Sequence, residues 1–290
     1  MPDEQVTTAV VVAPGVDPRL TLGPLAMLRG DPTVRVGAHD AVRATWTPDG
    51  PGSVALRWGD EHGRVTVVCH GDGAAWLRAR ADALVGARDD VSDFRPDGVV
   101  GRLWSRFNGD RVGATGTVWH DLTWSIVQQR IRREDAAAQW RRLVTAFGDR
   151  MDGGEGLFSP PDPKRLARAA PWSLRAMGID SRRATTLIEA ARVASRIHVL
   201  ADLVPAEASR RLRSIPGVGP WTASCLSAFT WGDPDTVITG DSGIPLLIAS
   251  TLAGDRRADD ARMVELLEPY RPHRYRVLRL ALAARTQRAA

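Results

Sequence analysis

One short stretch carries most of the information in this sequence: it reads Arg211-Leu-Arg-Ser-Ile-Pro-Gly-Val-Gly-Pro-Trp-Thr-Ala-Ser-Cys-Leu226. Pro216 lacks the N–H that would continue a helix, so we predict that a first helix ends close to it. Gly217 and Gly219 permit a sharp turn whose backbone carries no side chains. Pro220 suits the first turn of a second helix, where its missing N–H costs nothing. The stretch therefore predicts a helix, a tight hairpin turn and a second helix.

The start of the second predicted helix is well suited to bind an anion. Backbone N–H groups are unpaired at a helix N-terminus, and the helix dipole adds partial positive charge there. Because Gly217 and Gly219 have no side chains, an anion can approach the main chain closely. We therefore expect this turn to bind a phosphate group.

A second landmark is Asp241 in Val237-Ile-Thr-Gly-Asp-Ser-Gly-Ile244, which lies 22 residues beyond Gly219 (219 to 241). An Asp before Ser-Gly at the start of a helix is an ordinary N-cap, so a purely structural role is one interpretation. A catalytic carboxylate is the other. The two are compatible, since a cap also holds the carboxylate in place.

The hairpin and the spaced Asp together resemble the helix-hairpin-helix superfamily of DNA glycosylases. The resemblance is closest to the bacterial alkylation-repair 3-methyladenine DNA glycosylase II family. In that superfamily the motif reads hydrophobic-Pro-Gly-hydrophobic-Gly, followed by a helix and a loop that ends in a catalytic Asp at this distance. Non-catalytic DNA-binding proteins also carry the hairpin, so the spaced Asp is what makes the pattern specific. The resemblance is strong over residues 115–285, and the block Glu268–Tyr275 is similar to the family's C-terminal Pro-Trp/Tyr-Arg segment.

The resemblance implies an enzyme that swings a damaged base out of duplex DNA and breaks its bond to the sugar. Positive charge develops on the sugar as the base departs, and a carboxylate facing the sugar stabilises that charge and orients a water molecule. Asp241 is therefore the predicted catalytic residue. Asp233 and Asp235 precede it on a turn and are interpreted as loop residues.

A base pocket follows from the same resemblance. Trp221 matches a Trp that lines the pocket of the alkylation-repair relatives, where an indole stacks on the electron-poor ring of an alkylated purine. Cys225 and Trp124 are placed in the same pocket. For both Trp residues, packing in the core is the alternative. Cys225 stands where well-known relatives have an aromatic residue, as does Ser242, and these departures leave the range of substrates open.

The predicted DNA contacts lie in two segments. The amides of Gly217 and Gly219 and the hydroxyl of Thr222 are expected to hold a phosphate beside the flipped nucleotide. Gln129 and Arg130 match by position the residues that fill the gap left by the flipped base. Arg130 would then be a polar wedge that hydrogen-bonds the orphan base, and an ordinary loop arginine is the alternative.

Bifunctional members of the superfamily carry a lysine directly after the hairpin, and its amine forms a Schiff base with the sugar. Here that neighbourhood holds Trp221, and Lys164 is the only lysine of the chain. A monofunctional enzyme that leaves an intact abasic site is therefore predicted, without lyase activity.

We expect no organic cofactor and no metal bound by side chains. The two cysteines, Cys69 and Cys225, are too few for the four-cysteine iron–sulfur cluster of some relatives or for a disulfide framework. In relatives the hairpin carbonyls hold a monovalent cation. At the matching positions this chain has Arg213, Ile215 and Val218.

The composition fits a nucleic-acid partner without proving one. The formal net charge is +5, and the basic residues are arginines apart from one lysine. Arginine binds phosphate bidentately, which suits DNA, but a GC-rich genome would produce the same bias. The arginine pairs along the chain are most simply solvated helix faces. Neither a signal pattern nor an apolar run of membrane-spanning length is visible, so we expect a cytoplasmic monomer that acts on double-stranded DNA containing a damaged base.

Two domains are predicted, an α+β domain over residues 1–97 and a mostly helical domain over 98–290 that contains the hairpin. In the first domain Ala9–Ala13 and three alternating segments separated by turns indicate a small antiparallel sheet. Helices pack against that sheet, since Leu77, Ala81 and Leu84 recur at helical spacing.

The sequence thus favours a repair glycosylase that releases alkylated purines such as 3-methyladenine. Two alternatives remain at this point: a glycosylase for oxidised or deaminated bases, and a DNA-binding protein that has the hairpin without the activity.

Overall fold

The computed structural model describes residues 6–59 and 63–289. Its strands are β1 (Val6–Val12), β2 (Val34–Val36), β3 (Asp40–Thr47), β4 (Gly50–Trp58) and β5 (Arg64–His70). Its helices are α1 (Pro18–Leu22), α2 (Ala74–Ala79), α3 (Ala81–Leu84), α4 (Gly98–Phe107), α5 (Val118–Gln128), α6 (Arg133–Phe147), α7 (Pro163–Ala167), α8 (Pro171–Ala176), α9 (Ser181–Arg192), α10 (Ala194–Ile197), α11 (Pro205–Leu212), α12 (Pro220–Phe229), α13 (Ile244–Leu252), α14 (Asp260–Leu267) and α15 (Arg274–Ala289). Single 3₁₀ turns cover Gly23–Ala26, His198–Asp202 and Glu268–Tyr270.

The N-terminal part contains one antiparallel five-stranded sheet in the order β1-β5-β4-β3-β2. The predicted α+β class followed by a mostly helical region is confirmed. The sequence prediction missed β2, which has only three residues and so shows too little alternation. The predicted turn over 59–63 lies partly outside the described residues, as does the start of the chain.

Strand β3 differs from the expected pattern because both of its faces are buried. Val42 and Ala44 lie on one face, and Arg43 and Thr45, which alternate with them, are buried on the other. Alternation of apolar and polar residues is typical of a strand with one solvated face, but the polar face of β3 is buried. The polar face of β3 points to helix α5, which packs against it.

Polar side chains join the sheet to the helical region at this contact. Arg43 donates to the Asp121 carboxylate at 2.7 Å, and Asp121 also accepts hydrogen bonds from the hydroxyls of Thr115 and Thr230. Burial, helped by the charge of Arg43, lowers the pKa of His120 well below its usual value, so this imidazole is neutral. The buried Arg43–Asp121 ion pair holds α5 in a fixed position relative to the sheet.

Helix α12 lies between two hydrophobic clusters, and this placement positions the site. Its Leu226 belongs to a cluster built with α5, α6 and α9. On its other side, Cys225 and Ala228 belong to a cluster built with α4, α13 and α15. The helix that follows the hairpin is therefore fixed from both sides.

Ion pairs cross the predicted domain boundary. Arg276 of α15 binds Asp89 bidentately, with both hydrogen bonds at 2.7 Å, and both side chains are buried. Since Asp89 precedes residue 97 and Arg276 follows it, the two parts share a buried interface. The division at 97/98 stays a prediction.

Across the described ranges no helix combines the length and apolar character needed to cross a membrane. Within the same residues, no group of three or more His, Cys, Asp and Glu side chains is placed to hold a metal ion.

Candidate active site

The hairpin has the predicted form. Helix α11 ends at Leu212, slightly before the expected position near Ile215, and the chain turns through residues 213–219. Helix α12 begins at Pro220, as predicted, with Gly219 as its N-cap residue. The turn is closed by the N–H of Val218, which donates to the carbonyl of Ile215 at 3.0 Å.

The two hairpin glycines have different surroundings. Gly217 adopts a left-handed φ of +89°, and a Cβ there would lie 1.9 Å from the Oγ1 of Thr186. Gly219 has an ordinary φ of −97°, and a Cβ there would meet nothing within 4 Å. Gly217 is therefore required by the fold itself, whereas Gly219 leaves bare backbone open to a ligand.

Asp241 lies in the loop before α13, and three N–H groups fix its carboxylate. Oδ1 accepts from the backbone N–H groups of Gly243 at 2.8 Å and Ile244 at 3.0 Å. Oδ2 accepts from the indole N–H of Trp221 at 3.1 Å. The side chain is only half-buried, so it remains accessible from solvent. The capping role considered from the sequence is present, together with a bond to the hairpin helix.

The bond between Trp221 and Asp241 joins the predicted base pocket to the predicted catalytic residue. Trp221 is half-buried and packs at the edge of the second cluster, which contains Cys225 one turn further along α12. Burial raises the pKa of the Cys225 thiol, and the negative charge of Asp241 raises it further, so the thiol is neutral at physiological pH. Trp221, Cys225 and Asp241 are thus brought together.

Asp260 is a residue of this site that the sequence prediction missed. Its Oδ2 accepts the backbone N–H of Gly240, the residue before Asp241, at 2.8 Å. Gly240 has a φ of +79°, so Asp260 secures a left-handed turn directly beside Asp241. Nothing in the sequence distinguishes Asp260 from an acidic residue in the first turn of a helix, and only the fold brings it to this loop.

Gln129 attaches the loop after α5 to the hairpin. Its side-chain N–H₂ donates to the carbonyl of Gly217 at 3.1 Å and to Oγ1 of Thr222 at 2.9 Å. The next residue, Arg130, is exposed and has a left-handed φ of 57°, which few non-glycine residues adopt. The two residues predicted to fill the gap in the DNA therefore stand at the tip of a loop bound to the hairpin.

Two other predicted site residues lie deeper than expected. Thr222 is 1% exposed and its hydroxyl accepts from Gln129, so its contact to a phosphate stays a prediction. Trp124 is 8% exposed, packs edge-to-face on Phe229 and donates its indole N–H to Asp31 at 3.2 Å. These contacts match the core-packing interpretation of Trp124, and its place in a base pocket stays a prediction.

The other two acidic candidates, Asp233 and Asp235, lie in a loop, as predicted. Asp233 accepts from the hydroxyl of Ser227 at 2.9 Å, and Asp235 forms an ion pair with Arg274 at 2.7 Å. Lys164 stands at the start of α7, where its backbone N–H donates to Asp162, rather than on the hairpin.

A cleft of about 720 Å³ lies apart from these residues. It runs between α2–α3 and the segment after α12, and Asp89, Asp93, Trp231 and His273 are among the residues that line it. Neither Asp241 nor Trp221 lines this cleft in the described part of the chain.

The chain is similar in sequence to one group of known proteins and similar in fold to several solved structures. No protein-family model matches the chain. A DNA-3-methyladenine glycosylase 2 from Escherichia coli (strain K12) is 28% identical over 180 residues, which are 61% of this chain and 62% of that protein. The chain thus matches less than two thirds of the length of this relative.

Two solved structures have similar folds over nearly their whole length. The 3-methyladenine DNA glycosylase from Archaeoglobus fulgidus matches with a TM-score of 0.80 and 19% identity, covering 96% of this chain and 98% of the other. The 8-oxoguanine glycosylase/lyase from Clostridium acetobutylicum, in complex with double-stranded DNA containing cytosine opposite 8-oxoguanine, matches with a TM-score of 0.72 and 11% identity. That match covers 99% of this chain and 98% of the other. At such identities the likeness shows the fold.

Proposed function

We propose that this chain, which belongs to the helix-hairpin-helix DNA glycosylase family, is a monofunctional N-glycosylase of base excision repair. It flips alkylated purines such as 3-methyladenine out of double-stranded DNA and releases them by hydrolysis. The observation that carries the proposal is the half-buried carboxylate of Asp241, which three N–H groups hold beside the hairpin helix.

The reaction begins with binding and flipping. The hairpin amides at Gly217 and Gly219 hold a phosphate next to the lesion, and the loop with Gln129 and Arg130 fills the gap in the stack. Because Gln129 bonds to the hairpin, the phosphate site and the wedge keep a fixed separation. The extruded nucleotide is then directed towards Trp221 and Asp241.

Bond cleavage follows at the sugar. The bond between C1′ and the purine nitrogen breaks, its electron pair leaves with the base, and the sugar becomes cationic. The carboxylate of Asp241 stabilises that cation and directs a water oxygen to C1′. The water thereby loses a proton to the carboxylate or solvent, and an intact abasic site remains.

We infer that the base pocket lies at Trp221, whose chemistry suits an alkylated purine. Methylation gives the purine a positive charge, which favours stacking on an indole by roughly 0.5–2 kcal/mol. The hydrogen bond from Trp221 to Asp241 orients that indole. The neutral Cys225 thiol presents a small side chain where an aromatic residue would narrow the space.

We also infer that the protein acts as a monomer in the cytoplasm.

The hairpin main chain is a candidate site for a cation. A monovalent cation at the main chain of Arg213, Ile215 and Val218 fits the chemistry of the turn, since carbonyl oxygens suit hard cations and each has two lone pairs. The carbonyl of Ile215 uses one of them for the N–H of Val218.

The test is a base-release assay on matched duplexes with methylated, oxidised or deaminated bases. We expect free 3-methyladenine from the methylated duplex, because its weakened glycosidic bond needs little more than stacking and charge stabilisation. Release from the oxidised or deaminated duplexes alone would favour the second class of glycosylase. Binding without release from any duplex would indicate a DNA-binding protein.

We also predict that borohydride traps no covalent complex with DNA. Trapping requires a Schiff base between an amine and the sugar, and Lys164, the only lysine, lies away from the hairpin on α7. The measurement is gel electrophoresis of the enzyme incubated with damaged duplex and borohydride, with a known bifunctional glycosylase as control. A stable protein–DNA band for this chain would contradict the assignment as monofunctional.

A further inference from the structure

Exposed arginines stand on two elements next to the hairpin, and the function proposed above does not use their side chains. They are Arg182 in the first turn of α9 and Arg213 at the C-cap of α11. Both side chains are exposed, and neither has an ion pair with any described residue. An unpaired guanidinium on the surface is free to bind a ligand.

Arg182 is placed beside the hairpin by two contacts of its helix. Its successor Arg183 is buried and donates to the carbonyl of Val127 at 2.6 Å, which holds the start of α9 against the end of α5. One turn later, Thr186 lies directly against Gly217. The exposed Arg182 therefore lies one helical turn before the residue of α9 that contacts the hairpin.

Arg213 approaches the hairpin from the other helix of the motif. It follows the last residue of α11 and lies four positions before Gly217 in the turn. Its φ of −68° continues the helical path, and its side chain leaves the turn into solvent. Arg182 and Arg213 thus belong to two different elements that meet at Gly217, helix α9 and the end of helix α11.

Neighbouring arginines form ion pairs with acidic residues, whereas Arg182 and Arg213 form none with any described residue. Arg210 and Arg211 on α11 both pair with Glu207. Arg183 on α9 pairs with Asp180 at 2.6 Å. The arginine runs were interpreted from the sequence as solvated helix faces. In the pair 182–183 the structure separates a buried, ion-paired arginine from an exposed one. In the pair 210–211 both arginines bind Glu207, and the exposed Arg213 follows two residues later.

We propose that Arg182 and Arg213 bind DNA phosphates on either side of the one held by the hairpin amides. The inference rests on the proposed function, since it takes duplex DNA as the ligand. An arginine fork binds two phosphate oxygens at once, so each residue adds one charged contact to the backbone. Together with the hairpin amides they bind three consecutive phosphates instead of one, and this aligns the strand for flipping.

The test is the salt dependence of binding to a duplex that carries a tetrahydrofuran abasic analogue. Each phosphate contact releases counterions, so the slope of log K against log salt concentration changes by about 0.9 per contact. We expect Arg182→Gln and Arg213→Gln each to reduce the slope by about 0.9, and the double variant by about 1.8. Arg182→Lys and Arg213→Lys keep the charge and should keep most of the slope.

Arg57→Gln is the matched control. Arg57 is an exposed arginine on β4 of the sheet, without an ion pair among the described residues, so its loss removes one charge away from the hairpin. We expect this control to keep the wild-type slope. Equal slopes for the wild type, the control and both Arg→Gln variants, with unchanged melting temperatures, would overturn the inference. Since the analogue has no base to release, the result is independent of whether the chain is a glycosylase.

Discussion

Asp241→Asn should lower the single-turnover rate of base release by about 10³-fold, the loss seen when a preorganised charge-stabilising group is removed. Asparagine has nearly the same shape and still accepts hydrogen bonds through its amide oxygen, so it can cap α13 as Asp does. It carries no negative charge to stabilise the cationic sugar, and with the amide oxygen at the cap its amide nitrogen cannot accept the indole N–H of Trp221. We therefore expect excision to fall steeply while affinity for duplex DNA stays close to that of the wild type. The rate is measured with enzyme in excess over a methylated duplex.

Asp162→Asn is the matched control for this prediction. Asp162 caps α7 through a 2.7 Å hydrogen bond from the N–H of Lys164, so it is an N-cap of the same chemistry outside the site. The control should excise at the wild-type rate. If Asp241→Asn excised as fast as the control, Asp241 would be a helix cap without a catalytic role.

Gly217→Ala should destabilise the protein by about 3 kcal/mol and abolish specific DNA binding. The left-handed backbone penalises a Cβ, and that Cβ would lie 1.9 Å from the Oγ1 of Thr186 on α9. A movement of the turn that removes this clash displaces the Gly217 carbonyl, to which Gln129 donates. The measurements are urea unfolding and DNA binding at a temperature where the variant remains folded.

Gly219→Ala provides the comparison. Its Cβ would occupy open space at an ordinary φ, so the stability should change by no more than about 1 kcal/mol. If the bare backbone holds a phosphate, a methyl group there should still weaken DNA binding roughly tenfold. Equal losses of stability in the two variants, or unchanged binding by Gly219→Ala, would contradict the different roles assigned to the glycines.

The sequence predicted the parts of the fold that depend on local chemistry. Pro216, the hairpin glycines and Pro220 determine a turn by backbone restriction alone, and the turn is present. Leu77, Ala81 and Leu84 recur at helical spacing, and all three are buried on α2 and α3. Such patterns need no knowledge of distant partners.

Interactions between distant residues could not be read from the sequence. The Arg43–Asp121 pair joins a strand to a helix. The sequence around either residue does not indicate which residue it pairs with. Arg43 stands at a polar position of an alternating strand, and from the sequence this position is indistinguishable from a solvent-facing one. Only the packing of α5 over β3 shows that the position is buried.

In the candidate site, too, the sequence predicts individual residues but not the hydrogen bonds between them. Asp241 and Trp221 are predicted from motif and spacing, but the hydrogen bond between them requires the fold. Gln129 was predicted to contact DNA, and the structure shows its amide nitrogen bonded to Gly217 and Thr222. Asp260, which supports the loop of Asp241, has no sequence signal beyond its place at a helix start.

The central claim is that the Asp241 carboxylate faces a sugar that becomes cationic. It is tested most directly by comparing two abasic duplexes, one with a pyrrolidine that carries a positive charge and one with the neutral tetrahydrofuran ring. Because the enzyme should bind a mimic of the charged transition state more tightly, we expect the wild type to prefer pyrrolidine by about 100-fold. Asp241→Asn should lose that preference while binding tetrahydrofuran DNA as the wild type does. The same preference in the variant, or none in the wild type, would contradict the claim.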